Sequence, residues 1–145
     1  MVVGIIGENC SGKSTLARAI AGRIGAEVVA GRDYLRMAKS EAEATALFRA
    51  RLKDAVAGEN VIFVISDREH VGLLPEGAIR VLVHADLDTI KARFRDRMRG
   101  NLPAPVEQML ERKHGLFDGG DYDYRYDGAS GDAGALCEEI AKRIS

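Results

Sequence analysis

The 145-residue sequence is short of cysteine, of charge imbalance and of long apolar runs, and each shortage removes a class of protein. Two cysteines, Cys10 and Cys137, are too few for a disulfide framework or a cysteine metal cluster. No apolar run approaches the ~20 residues that a transmembrane helix needs. Twenty-one Lys and Arg against 22 Asp and Glu leave a net charge of −1, which argues against general nucleic-acid binding. His70, His84 and His114 show no metal-ligand spacing and no paired nucleophile, so no chemistry is assigned to them. A strand pattern begins at residue 2 and leaves no room for a secretory leader, and no internal repeat or low-complexity linker follows. With 46% hydrophobic and 30% charged residues, the sequence predicts one compact soluble domain over 1–145. It is expected to be cytoplasmic, a monomer or homodimer, with no membrane or nucleic-acid partner.

What is present is concentrated at the start. The apolar run Val2–Ile6 meets Gly7-Glu8-Asn9-Cys10-Ser11-Gly12-Lys13-Ser14-Thr15, and a helical pattern opens directly after it. This is G-x-x-x-x-G-K-[ST] in a strand–loop–helix setting, the signature of a loop that cradles the phosphates of a nucleoside triphosphate. Gly7 and Gly12 give the backbone freedom to turn successive N–H groups onto one anion. The helix starting near Lys13 adds its unpaired N–H groups and positive dipole end. Lys13 supplies a full charge toward the β- and γ-phosphates, and the Ser14 hydroxyl can ligate Mg²⁺. Cys10 reads as a tolerated loop side chain rather than a reactive thiol.

Further along, apolar strand patterns at 26–30, 61–65, 79–84 and 122–126 alternate with helical ones at 13–24, 40–58, 86–100, 106–114 and 133–144. Asp33 is placed to cap a short helix through Met37, and Ser40 to cap the next, whose apolar positions are Ala44, Leu47, Phe48, Leu52 and Val56. The alternation predicts a three-layer α/β domain around a parallel five-stranded sheet, with ligands beyond the carboxyl ends of the strands. Charge gathers there in three places: Asp33–Arg36, Asp67-Arg68, and the helix of 86–100.

That last helix carries Lys91, Arg93, Arg95, Arg97 and Arg99 around an apolar stripe of Leu87, Ile90, Phe94 and Met98. A basic helix face is commonly just solvated surface. Here it ends in the Gly/Asn/Pro stretch 100–105, with Arg112 on the helix beyond, which suits a mobile lid over roughly 95–104. Phosphoryl transfer needs positive charge around the transferring group and exclusion of water, and such a lid supplies both.

Taken together, the phosphate loop, Gly31-Arg32-Asp33-Tyr34-Leu35-Arg36 and the Arg93-x-x-x-Arg97 pair resemble the nucleoside monophosphate kinases, nearest to cytidylate kinase-like and adenylate kinase-like members. Ser66-Asp67-Arg68 and Tyr122–Asp127 are similar to later, weaker motifs of that family. The resemblance implies an ATP- and Mg²⁺-dependent kinase acting on a small-molecule acceptor. Gly7–Thr15 would hold the ATP phosphates, and Lys13 would stabilise the transferring group. Ser14 and Asp67 would hold the Mg²⁺. Arg93 would stack on the base, while Arg97 and Arg112 would reach phosphates from the lid. Asp33, Arg36 and Arg68 would hold the acceptor, and the Asp127–Gly131 loop would line the adenine edge. Plainer readings exist for some of these: Asp33 as a cap, Arg36 as an exposed side chain, Asp67 and Asp127-Gly128 as turn residues.

Two departures bear on the acceptor. The acceptor-binding region, about 31–58, is short for a cytidylate kinase, and Ser66 stands where the family has glycine. The reading is therefore a nucleoside monophosphate kinase first. A kinase of a metabolite hydroxyl, as in shikimate or gluconate kinases, and a non-kinase ATP-binding regulatory module are the alternatives. A GTPase is disfavoured because no N-K-x-D element follows a later strand.

Overall fold

A computed structural model describes residues 1–144. Five strands, β1 (Val2–Ile6), β2 (Glu27–Ala30), β3 (Val61–Ile65), β4 (Ile79–His84) and β5 (Tyr124–Asp127), form one sheet. Its order is β2-β3-β1-β4-β5, and every neighbouring pair is parallel. The helices are α1 (Lys13–Ile24), α2 (Glu41–Ala55), α3 (Leu87–Arg97), α4 (Ala104–Lys113) and α5 (Ala133–Lys142).

The central strands are apolar throughout because both faces of the sheet are covered. Alternate residues of β1 and β3 divide between two cores. Val2, Ile6, Phe63 and Ile65 pack under α2 through Ala44, Phe48 and Leu52. Val3, Ile5, Ile62 and Val64 pack under α1 and α5 through Leu16, Ile20, Leu136 and Ile140. This is the three-layer α/β architecture that the alternation of patterns predicts.

Register fixes where the site must lie. Ile6 pairs with Ile65 and Leu82, Ala30 with Val64, and His84 with Asp127. The residues that follow the strands therefore emerge along one edge of the sheet. Over that edge α3 and α4 pack on each other, with Ile90 and Leu110 buried against Cys10 and Ala85. Lys91 ties the two helices together through Glu111 (2.6 Å) and Glu107 (3.3 Å).

Several local expectations change. Residues Gly31–Met37 form a 3₁₀ turn with no side-chain cap, so Asp33 lies inside the turn and does not cap it. The buried Tyr34 holds this turn down, stacked on Phe48 at 4.9 Å between ring centroids. Ser40 does cap α2, accepting from the Glu43 amide at 3.1 Å, and Asp86 caps α3 through Thr89. Leu47 is nearly half exposed and not core, since the stripe facing the sheet is Ala44, Phe48 and Leu52. On α3 only Ile90 is buried, and Met98 is exposed. That helix ends at Arg97, and Arg99 lies beyond it in a left-handed conformation, outside the basic face the sequence suggests. The last strand starts at Tyr124 rather than Tyr122.

Candidate functional site

The phosphate loop lies between the end of β1 and the first turn of α1. Helices α2, α3 and α5 are capped by the side chains of Ser40, Asp86 and Asp132, whereas α1 begins at Gly12 with no side-chain cap. Its first-turn N–H groups have no intrahelical partner and remain available to an anion. The left-handed conformations fall on Gly12 (φ 107°) and on Cys10 (φ 64°), not on Gly7. Gly7 is required for a different reason. A Cβ there would meet the Val83 carbonyl at 2.4 Å and the Ser11 hydroxyl at 2.8 Å. The buried Ser11 hydroxyl has no hydrogen-bond partner among the described residues.

Lys13 is buried, and its Nζ donates to the Glu8 carbonyl at 2.6 Å, curling back over the loop. Burial pushes its ammonium down to about 8, and Arg97 acts in the same direction, while Glu8 opposes it. An ammonium held this way gains most when an anion arrives.

Arg93 bridges the phosphate loop to the loop after β5. It donates to the Cys10 carbonyl at 3.1 Å and to the Gly128 carbonyl at 2.8 Å. Gly128 touches the phosphate loop so closely that a Cβ would lie 1.7 Å from the Ser11 carbonyl oxygen. Asp127 accepts from the Ala129 and Ser130 amides, which lowers its carboxyl pKa and shapes this contact. The Glu8 carboxylate reaches the other way, to His114 Nδ1 at 3.1 Å and the Gly115 amide at 3.2 Å. The phosphate loop is thus fastened on both sides.

A cleft of about 370 Å³ opens over the loop. It is lined by Asn9, Cys10 and Gly12–Thr15 from the loop, by Ala30 and Gly31 after β2, by Ser66 after β3, and by Arg97. Arg18, one turn into α1, also lines it. Nothing in the motif marks Arg18, but its place four residues after Ser14, on the same face of the helix, was a usable signal. A second cavity of about 210 Å³ shares Asn9 and Ser66 with the first. Its walls are Met109, Leu110, Leu116 and Phe117, with Asp67, Lys113 and Glu8 as charged groups. Lys113 in that wall is a second residue that sequence reading passed over.

The structure therefore brings Asn9, Cys10, Gly12–Thr15 and Arg97 to one cleft and Asp67, with Glu8, to the cavity beside it, while Gly7 and Ser11 line neither. Asp33 and Arg36 stand exposed on the 3₁₀ turn that follows β2, and Arg68 and Arg112 are exposed as well. None of these four lines either space.

No protein-family model matches the sequence, and no curated protein matches it. The fold has many solved counterparts. A gluconokinase from Sinorhizobium meliloti is 18% identical, with a TM-score of 0.64 over 99% of this chain and 94% of that one. A shikimate kinase from Acinetobacter baumannii, solved with shikimate, is 19% identical at a TM-score of 0.60, covering 99% and 92%. The deoxyadenosine kinase of M. mycoides is 16% identical at a TM-score of 0.54, covering 99% and 98%. The chain has the α/β fold of the P-loop kinases.

Proposed function

We propose that this chain is an ATP- and Mg²⁺-dependent kinase that transfers the γ-phosphoryl group to a small acceptor. The observation that carries the reading is the uncapped start of α1 beside a buried Lys13, opening into a cleft faced by Arg97. Such an arrangement binds polyphosphate and offers two cations to a transferring group, and phosphoryl transfer depends on positioning and electrostatics more than covalent chemistry. The kinases named above, acting on gluconate, shikimate and deoxyadenosine in their printed names, support a small-molecule acceptor.

The roles follow from position. Gly7–Thr15 holds the phosphates, with Lys13 exchanging its bond to the Glu8 carbonyl for a phosphate oxygen. The exposed Ser14 hydroxyl is an oxygen donor of the kind Mg²⁺ takes and would hold the ion from the cleft, while Asp67 opens onto the neighbouring cavity instead. The ion would shield phosphate charge. Arg97 adds charge from the lid, and Arg18 is placed to act on the same cleft. Arg93 holds the phosphate loop against Gly128, which keeps the donor side in shape before the nucleotide stacks near it.

The acceptor is assigned to the smaller cavity, whose apolar wall and three charged groups, Lys113 beside Glu8 and Asp67, suit a compact polar molecule. Its volume of about 210 Å³ lies below the ~300–1,000 Å³ of ordinary ligand pockets. That favours a metabolite hydroxyl over a nucleoside monophosphate, although the motif resemblance favours the nucleotide. A coupled ADP-release assay with Mg-ATP decides between them. One panel arm holds nucleoside monophosphates, and the other holds small hydroxy acids and sugar acids. Acceptor-dependent turnover in either arm is the expected result. ADP release at one slow rate regardless of acceptor would remove the kinase reading and leave an ATP-binding module.

A further inference from the structure

Outside the phosphate cleft, one buried side-chain polar atom lacks a hydrogen-bond partner among the described residues. His70 sits in the 3₁₀ turn Arg68–Leu73 after β3 and is 3% exposed, with Tyr34 and Phe63 against its ring. Its Nδ1 is buried and makes no hydrogen bond among the described residues. The nearest acid is Asp67, whose Oδ2 is 4.0 Å from that nitrogen, too far for a hydrogen bond. A buried nitrogen left in this state costs about 1–3 kcal/mol, so a partner is expected there.

The same turn also presents Glu69. One donor atom from each of Asp67, Glu69 and His70 can be chosen so that all lie within 4.8 Å of one another. Neither carboxylate forms an ion pair with a lysine or arginine among the described residues. Donors about 2.0–2.2 Å from one ion lie at most ~4.4 Å apart. The His70–Asp67 separation already meets this limit, and the exposed carboxylates can close the remainder by a small rotation.

We propose that Asp67, Glu69 and His70 bind a divalent transition-metal ion of the zinc type, apart from the Mg²⁺ that accompanies ATP. One imidazole nitrogen and two carboxylate oxygens suit Zn²⁺, which takes N and O donors in a tetrahedron. Mg²⁺ wants an octahedron of oxygen and gains nothing from the nitrogen. His70 binds as the Nε2-protonated tautomer, with the Nδ1 lone pair on the metal. Three protein ligands leave one position open, on the side where the two acids are exposed. Because Asp67 also lines the cavity of about 210 Å³, the ion sits at the rim of that space. The inference stands whether or not the chain is a kinase.

The test uses the full chain without nucleotide and Zn²⁺ alone, titrated calorimetrically. One equivalent is expected to bind, and the His70 Nδ1 resonance in ¹⁵N NMR is expected to shift on addition. Glu69→Gln, an exposed and fold-safe change, is expected to weaken binding at least tenfold, and Asp67→Asn to do likewise. A tenfold excess of Mg²⁺ is expected not to displace the Zn²⁺. Zn²⁺ binding of equal affinity in both variants, an unmoved His70 signal, no binding at all, or displacement by Mg²⁺ would each overturn the proposal.

Discussion

Lys13 shows how one residue can be tuned by its burial. Its folded pKa of about 8 lies below the ordinary lysine value of 10.5, so folding penalises the charged form. The penalty, about 3 kcal/mol, is fully present below pH 8 and is relieved as pH rises from about 8 to 10.5. Stability of the nucleotide-free protein should accordingly rise across that window relative to Lys13→Met, as read from urea midpoints of the two proteins at several pH values. A phosphate beside Nζ restores the proton. Mg-ATP binding at pH 8.5 should therefore take up protons, seen as a dependence of calorimetric heat on buffer ionisation enthalpy that Lys13→Met lacks. Loss of turnover in Lys13→Met by a factor of about 10² or more is the kinetic counterpart.

Gly128 makes a sharper steric case. A methyl group 1.7 Å from the Ser11 carbonyl cannot be accommodated without moving one loop. Gly128→Ala should cost about 2 kcal/mol or more in chemical unfolding and weaken ATP binding together, because the same contact shapes the phosphate loop. The glycines of the motif were legible from sequence, but this one was not. Its need arises from a neighbour 117 residues earlier in the chain, Ser11, which no local pattern announces.

At the scale of elements, the caps were readable because they are local. Ser40 and Asp86 bond amides three residues on, as their spacing predicts. Ser40→Ala should cost about 1 kcal/mol. The basic helix is where local reading ran out. Its positive charges look alike in sequence, yet the fold gives them separate tasks. Lys91 is consumed by Glu107 and Glu111, Arg93 by two carbonyls, and Arg97 faces the cleft. Lys91→Glu sets three acids together between α3 and α4, so hydrogen exchange in residues 98–103 should quicken. Arg93→Ala frees the loop after β5 and should weaken ATP binding about tenfold. Arg95→Ala, an exposed change on the same helix, should do neither.

For the whole molecule, the two cores on opposite sheet faces divide the labour. One is built from α1 and α5 behind the phosphate loop, the other from α2 and the aromatic group of Tyr34, Phe48 and Phe63. Phe63 is fully buried and touches both other rings, so Phe63→Ala should destabilise by about 3–5 kcal/mol in urea unfolding. Among the described residues no helix is long and apolar enough to cross a membrane.

The sequence by itself determined the strand–loop–helix of the phosphate site, the five alternating strands and the cap positions. Each of these is a short-range periodicity or a motif read within about fifteen residues. Tertiary structure alone decided which arginines face the cleft, that a cavity of about 210 Å³ lies beside α4, and that the buried His70 Nδ1 has no hydrogen-bond partner among the described residues. Those facts depend on sheet register and helix packing between segments far apart in the chain, and distance in space is not encoded in local pattern.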